Sequence, residues 1–185
     1  MRSLAVGCEV STHSRAAIEH LAKSDWTSAE FVGLSVGAVA RAVRSNGIRI
    51  SSADCEFEIG AVSVDIAPKW EAFVLHAVAQ TAGAEHNAAK LDSRRPASTD
   101  ERFEAFLGRN HTLFVITREY AVPPSHAGMF TRVSVEDALL IRDRSGQQAL
   151  IAVDEENPGG VVMSRVREDI DRVLSDASLI RPVCV

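Results

Sequence analysis

Ser98, His111 and His126 stand where their types and surroundings suit chemistry. His111 opens the apolar run Leu113 to Thr117, and His126 lies in Pro123-Pro124-Ser125-His126-Ala127-Gly128. Loops and strand ends are where layered α/β folds gather their sites. A histidine there changes charge near neutral pH and can serve as acid or base. The plainer reading of both is a polar loop residue. Ser98 stands three residues before Glu101, the spacing of a capping box. A hydroxyl at a helix start can also be a nucleophile, but no base is spaced to activate it.

Other groups carry less. Cys8 and Arg15 have six residues between them and no glycine, one residue too many for a phosphatase loop. His13 and His20 are two helical turns apart, about 10 Å along the axis, too far to share a metal ion. His76 and His86 are ten residues apart and do not converge. Arg94-Arg95 reads as a solvated loop pair able to hold a phosphate or carboxylate. Asp154-Glu155-Glu156 lacks the spacing of a calcium loop. No P-loop or GxGxxG motif occurs. The expectation is therefore no metal and no cofactor, with catalysis itself undecided.

Bulk properties bound the classes. The chain has 185 residues, suiting one domain over 1–185, and 46% are hydrophobic, enough for a core. Twenty basic against 25 acidic residues give a net charge of −5. No basic stripe appears, which argues against nucleic acid. The three cysteines, Cys8, Cys55 and Cys184, form no CxxC pair. That excludes a zinc knuckle and a disulfide framework and points to a reducing cytosol. Leu4-Ala5-Val6-Gly7-Cys8 has too short a lead for a lipoprotein signal and reads as a first strand.

The elements follow from patterning. Trp26 to Gly47 carries the signals of a helix. Thr27 and Glu30 have capping-box spacing, Trp26 and Phe31 fit a hydrophobic staple, Arg41 and Arg44 suit the last turns, and Asn46-Gly47 offers a stop. Phe31 to Ala40 holds no charge, so the helix is expected to be buried. It is too short for a membrane, which needs about 20 apolar residues. Ala29, Gly33 and Gly37 form a small-residue stripe that suggests a close backbone neighbour.

Around this helix, Ser11 to Ser24 predicts a helix through Ile18 and Leu21. Ile48 to Ser51 and Cys55 to Ile59 alternate as strands, with a bulge or turn at Gly60-Ala61. Trp70, Phe73, Val74, Ala77 and Val78 predict a helix from Pro68 to about Gly83. A short helix runs from Ser98 to Gly108, and Leu113 to Thr117 is an interior strand. Ala138 to Ile141 and Ala149 to Val153 flank Asp143-Arg144-Ser145-Gly146 as a hairpin. Val162 to Leu174 predicts an amphipathic helix before an apolar tail. Together these give an α/β fold, a layered mixed sheet with a buried central helix.

The order of motifs resembles thiolase-fold ketosynthases over roughly residues 28 to 180. Ala40 to Ile48, then Ser52-Ala53-Asp54, resembles that family's helix, turn and next strand. Leu113 to Glu119 and Asp137 to Arg142 resemble two of its later strands, and Val166 to Ile180 the start of its second half. The resemblance implies a thiolase-like half. It departs from the family near Ser98, where Lys90 to Asp100 holds no nucleophilic cysteine, and the second half's His or Asn partners are missing. What it implies is an acyl-binding or partner protein in fatty-acid or polyketide-type metabolism, without ketosynthase activity. An acyl thioester would be its ligand, and a second copy or a larger ketosynthase-type protein its partner. Ala77 to Gly83 also resembles the central helix of α+β hotdog-like dehydratases, with His76 where an acid is expected. Two readings of other classes stand beside these: an immunity or adaptor protein, and a small-molecule enzyme using His111, His126 or Ser98. Neither membrane nor nucleic-acid binding is expected.

Overall fold

Strand-forming residues dominate the chain wherever both faces are covered. The computed structural model describes residues 3–6, 12–35, 44–67, 70–81, 101–108, 111–122, 131–154, 156 and 160–183. Ten strands and two α-helices lie in them: β1 (Ser3–Val6), α1 (Thr12–Lys23), β2 (Ser28–Ser35), β3 (Arg44–Ser51), β4 (Cys55–Ala67), β5 (Trp70–Thr81), β6 (His111–Ala121), β7 (Arg132–Asp143), β8 (Gln148–Val153), β9 (Val161–Ser164), α2 (Arg167–Ser175) and β10 (Ala177–Pro182). A short 3-10 helix spans Glu101–Phe106. Every strand pairing is antiparallel except β1 with β7. The fold is therefore α+β rather than α/β, and only the larger sheet is mixed.

The strands form two sheets. The larger has the order β10-β6-β7-β8-β9, with β1 also on β7; the smaller is the meander β2-β3-β4-β5. Strand β7 is long enough to serve two neighbours on one edge. Its second half pairs with β8 and its first half with β1. Leu113, Val115, Leu139, Ile141 and Ile151 of the larger sheet share a core with Ile48, Ile50, Phe57 and Ile59 of the smaller. Ala17, Ile18 and Leu21 of α1 join that core. On the other face, Ile116, Ala138, Leu140 and Leu150 pack against Ile170 and Val173 of α2. The larger sheet is thus the middle layer.

Among the described residues of that stretch, the buried central helix is replaced by strands. Ser28–Ser35 and Arg44–Ser51 are strands in one continuous register, Ser28 opposite Ser51 and Ser35 opposite Arg44. The polar residues that mimic a capping box serve the sheet instead. Thr27 Oγ1 donates to the Ser51 carbonyl (3.1 Å), and Glu30 faces Arg49 across the strands. Asn46 and Gly47 are strand residues opposite Gly33 and Val32, not a helix stop. Uncharged β-branched and aromatic runs fit a buried strand as well as a buried helix, and periodicity alone does not separate them. Gly37 and the rest of 36–43 lie outside the described residues.

The helix expected from Pro68 to Gly83 is also a strand, since Trp70–Thr81 is β5. Val74, Leu75 and Ala77 are all buried, two on one face and one on the other. Burial on both faces erases the period of two and leaves spacings that pass for a helix. The same cause explains Gly60-Ala61. Strand β4 runs straight through them, opposite His76 and Leu75, and the register slips only between Asp65 and Ala67. The apparent phase change marks where the covered face changes, from Phe57, Ile59 and Ala61 to Val62 and Val64. Val161–Ser164 is β9, so α2 starts only at Arg167, and the apolar tail is strand β10.

Other expectations hold. Helix α1 is docked by Ser14, whose Oγ accepts the Ala77 N–H of β5 at 2.9 Å. The β7–β8 hairpin turns at Gly146, with φ of 90°. The short helix ends before Gly108, with φ of 73°. Trp26, 2% exposed, joins these pieces. It exchanges backbone hydrogen bonds with Gly108, and its indole N–H donates to the Leu21 carbonyl at 3.0 Å. No helix among the described residues is long and apolar enough to cross a membrane.

Phe57 is fully buried between the sheets. Phe57→Ala is expected to lower the unfolding free energy by about 3–5 kcal/mol in urea titration. Val78→Ala, at an exposed position of β5, should change it by less than about 0.5 kcal/mol.

Candidate functional site

A bulge in β7 builds the site. Ile116 of β6 lies opposite Ala138, yet the next residue, Thr117, lies opposite Glu136. Asp137 is the extra residue, and a bulge of this kind re-aims its side chain. Asp137 is 2% exposed. Its Oδ2 accepts from Arg118 Nε at 2.9 Å, from Arg118 Nη2 at 2.9 Å, and from the Tyr120 hydroxyl at 2.6 Å. Three donors on one oxygen leave Oδ1 buried without a hydrogen-bond partner. Burial pushes the Asp137 carboxyl above its ordinary range, against the opposing pull of Tyr120 and Arg118.

This cluster borders a cleft of about 400 Å³. Strand β6 contributes Arg118, Tyr120 and Ala121, and β7 contributes Val133 and Val135. Glu71, Ala72 and Phe73 come from the start of β5, and Val153 and Asp154 from the end of β8. The walls are apolar because four strands turn their small and branched residues inward here. Val133 and Val135 of the wall pack with Val74 as one buried group, with Val62, Val64 and Ala72 against it. The cleft opens where β8 has ended and β7 continues beside β1.

The groups present are suited to holding a molecule. Among the described residues, no serine, cysteine, histidine or lysine lines the cleft. Its guanidinium, phenol and neighbouring carboxylate are engaged with one another, and Glu71 and Asp154 lie toward the outside. No group of three His, Cys, Asp or Glu side chains among the described residues could hold a metal ion.

His111 is elsewhere. It begins β6, seven residues from Arg118, roughly 23 Å along the strand. Its ring lies against Trp26, with centroids 3.9 Å apart and planes tilted 35°. Nδ1 donates to the Phe106 carbonyl at 3.1 Å. Burial holds its pKa below the usual histidine range, while the Phe106, Leu21 and Gly108 carbonyls act the other way. That geometry fixes the strand start against Trp26. Ser98 and His126 lie outside the described residues. Cys55 is a buried free thiol, and His20 sits edge-on to Phe57 at 5.2 Å. Arg94, Arg95, Cys8 and Cys184 also lie outside the described residues.

Arg118, Tyr120 and Asp137 were the residues to find. Their signal is a charge inside an apolar strand: Asp137 precedes Ala138-Leu139-Leu140-Ile141, and Arg118 follows Leu113 to Thr117. Charged residues in a strand covered on both faces are almost never buried unless paired. Comparison of the chain with protein-family models, with curated proteins and with solved structures finds no match. What the fold and cleft define is thus a class: a layered α+β protein with a small-molecule-sized cleft beside a buried ion pair.

The lowered pKa of His111 gives a pH dependence with a definite sign. The unfolded chain binds a proton that the folded ring resists, so stability is present above about pH 6.5 and is lost as pH falls below it. In urea unfolding across this range, His111→Phe should be less stable than the wild type at neutral pH. The gap between them should narrow on acidification.

Proposed function

We propose that this protein binds an apolar small molecule, an alkyl or acyl chain, in the cleft between β5, β6, β7 and β8. One observation carries the reading: a cavity of about 400 Å³ with apolar walls and a few convergent polar groups. Ligand sites typically fall between about 300 and 1,000 Å³ and have this composition. The acyl class of ligand is the part of the ketosynthase resemblance that the cleft supports. Arg44 to Ile48, the described part of the stretch that was to supply its helix and turn, lies in strand β3. The proposal needs no nucleophile and no cofactor, and it sets the protein in a reducing cytosol.

A second reading, a partner protein or homodimer, rests on β10. Among the described residues this strand is an edge of the larger sheet, with Leu179 54% and Ile180 43% exposed. Unpaired edges with apolar side chains are templates for a second chain.

Octanol, a neutral chain, tests the cleft. It should raise the thermal midpoint with concentration, because a ligand that binds only the folded state stabilises it. Ala121, exposed on the cleft wall, tolerates a large side chain within a strand. Ala121→Trp should keep the fold and abolish the octanol effect. Equal shifts in wild type and variant would remove the cleft from the account.

A further inference from the structure

We propose that β10 pairs with the β10 of a second copy of this chain, antiparallel across a two-fold axis at Ile180. This rests on β10 being a docking edge, and it adds which chain docks and in what register.

Hydrogen-bond direction along β10 singles out Ile180. The Val183 N–H donates to the Leu113 carbonyl at 2.9 Å, and the ladder continues with Pro182 opposite Phe114, Arg181 opposite Val115 and Ile180 opposite Ile116. Antiparallel strands alternate between pairs that exchange hydrogen bonds and pairs that do not. Val183 and Arg181 therefore turn their backbone groups toward β6, while Ile180 and Pro182 turn theirs away from it. No described strand pairs with β10 on that outer side. Pro182 has no N–H to offer there. At the other end the register slips between Ala177 and Leu179, so Ser178 is an extra residue, its Oγ donating to the Thr117 carbonyl at 3.1 Å. Between the bulge and the proline, Ile180 alone turns both a donor and an acceptor outward.

A proline and a bulge close an edge to long foreign strands. They do not hinder a second β10. Centring the pair on Ile180 lets each Ile180 N–H donate to the other Ile180 carbonyl, with Cα atoms about 5.5 Å apart. Two residues further on, Pro182 falls opposite the partner's Ser178, so each strand ends its ladder where the other does. The side chains agree with this. Ile180 lies on the sheet face of its register partner Ile116, the face that α2 covers, and Leu179 lies on the opposite face. Both are exposed in the single chain. Self-pairing covers them and carries the larger sheet from one copy into the other. A contact built on one short strand belongs with the small interfaces, below about 1,200 Å², that come apart readily.

Sedimentation velocity on the intact chain over a dilution series tests this. The wild type should pass from twice the chain mass to the chain mass on dilution. Ile180→Lys and Ile180→Glu each set like charges opposite one another, and each should weaken the dimer at least about tenfold. An equimolar mixture of the two variants should recover most of that loss as a heterodimer. Amide hydrogen exchange needs no variant: protection of the Ile180 N–H in the wild type should rise with chain concentration. A chain that is monomeric throughout overturns the self-pairing and leaves the docking edge to a different protein. A dimer that both variants leave intact, or in which Ile180 exchange does not slow, uses another face, and the docking edge falls with the proposal. A dimer weakened by both variants and not restored in their mixture overturns the two-fold axis at Ile180.

Discussion

A carboxylate buried among apolar strands is tolerated only when donors converge on it. Removing an ion from water costs several kcal/mol even after the protein relaxes, and attraction repays that only with good geometry. Asp137 meets the condition through two nitrogens of Arg118 and the Tyr120 hydroxyl, all on one oxygen. The requirement fixes more than one side chain. Arg118 and Tyr120 are two apart on β6, so they reach the same side of the strand. The bulge at Asp137 sets which β7 residues they oppose, Val135 and Val133. Those two valines then form the cleft wall. Slipping the register by one residue would separate the partners and strand the carboxylate.

The rest of the molecule supports this arrangement from both sides. Helix α2 covers one face of the central sheet, and the meander with α1 covers the other. Arg49 ties Glu58 at 2.8 Å and faces Glu30 across β2, on partly exposed positions of the meander. Exposed pairs of this kind add little stability, so the apolar interface and not these charges holds the two sheets together. His111 and Trp26 close the far end of β6 by stacking. The cleft and the His111–Trp26 packing thus occupy opposite ends of one strand.

The sequence shows some of this plainly and hides the rest for physical reasons. Helix α1, the interior strand β6 and the β7–β8 hairpin are legible because each has one clear face or one unambiguous turn. Strand β5 is not, since Val74 on one side and Leu75 and Ala77 on the other are all buried. Strand β2 is hidden by coincidence: Thr27 and Glu30 sit at helix-capping spacing, but both reach across to β3 instead. The α/β expectation follows from those two errors, because replacing two strands by helices makes a meander look like alternation. The site was half visible. Asp137 and Arg118 are charges in apolar runs, yet no spacing rule connects residues 19 apart until the bulge is known. His111 was visible as a polar strand opener, and its surroundings make it a packing residue.

A double-mutant cycle on the buried pair tests the central claim most directly. Arg118→Met and Asp137→Leu are each expected to cost about 3–5 kcal/mol in unfolding free energy, because each takes an ion-pair partner from a buried charge. Together they should cost far less than the sum, since two apolar groups replace two opposed charges. Additive losses would mean that the two residues do not depend on each other, and would contradict the account.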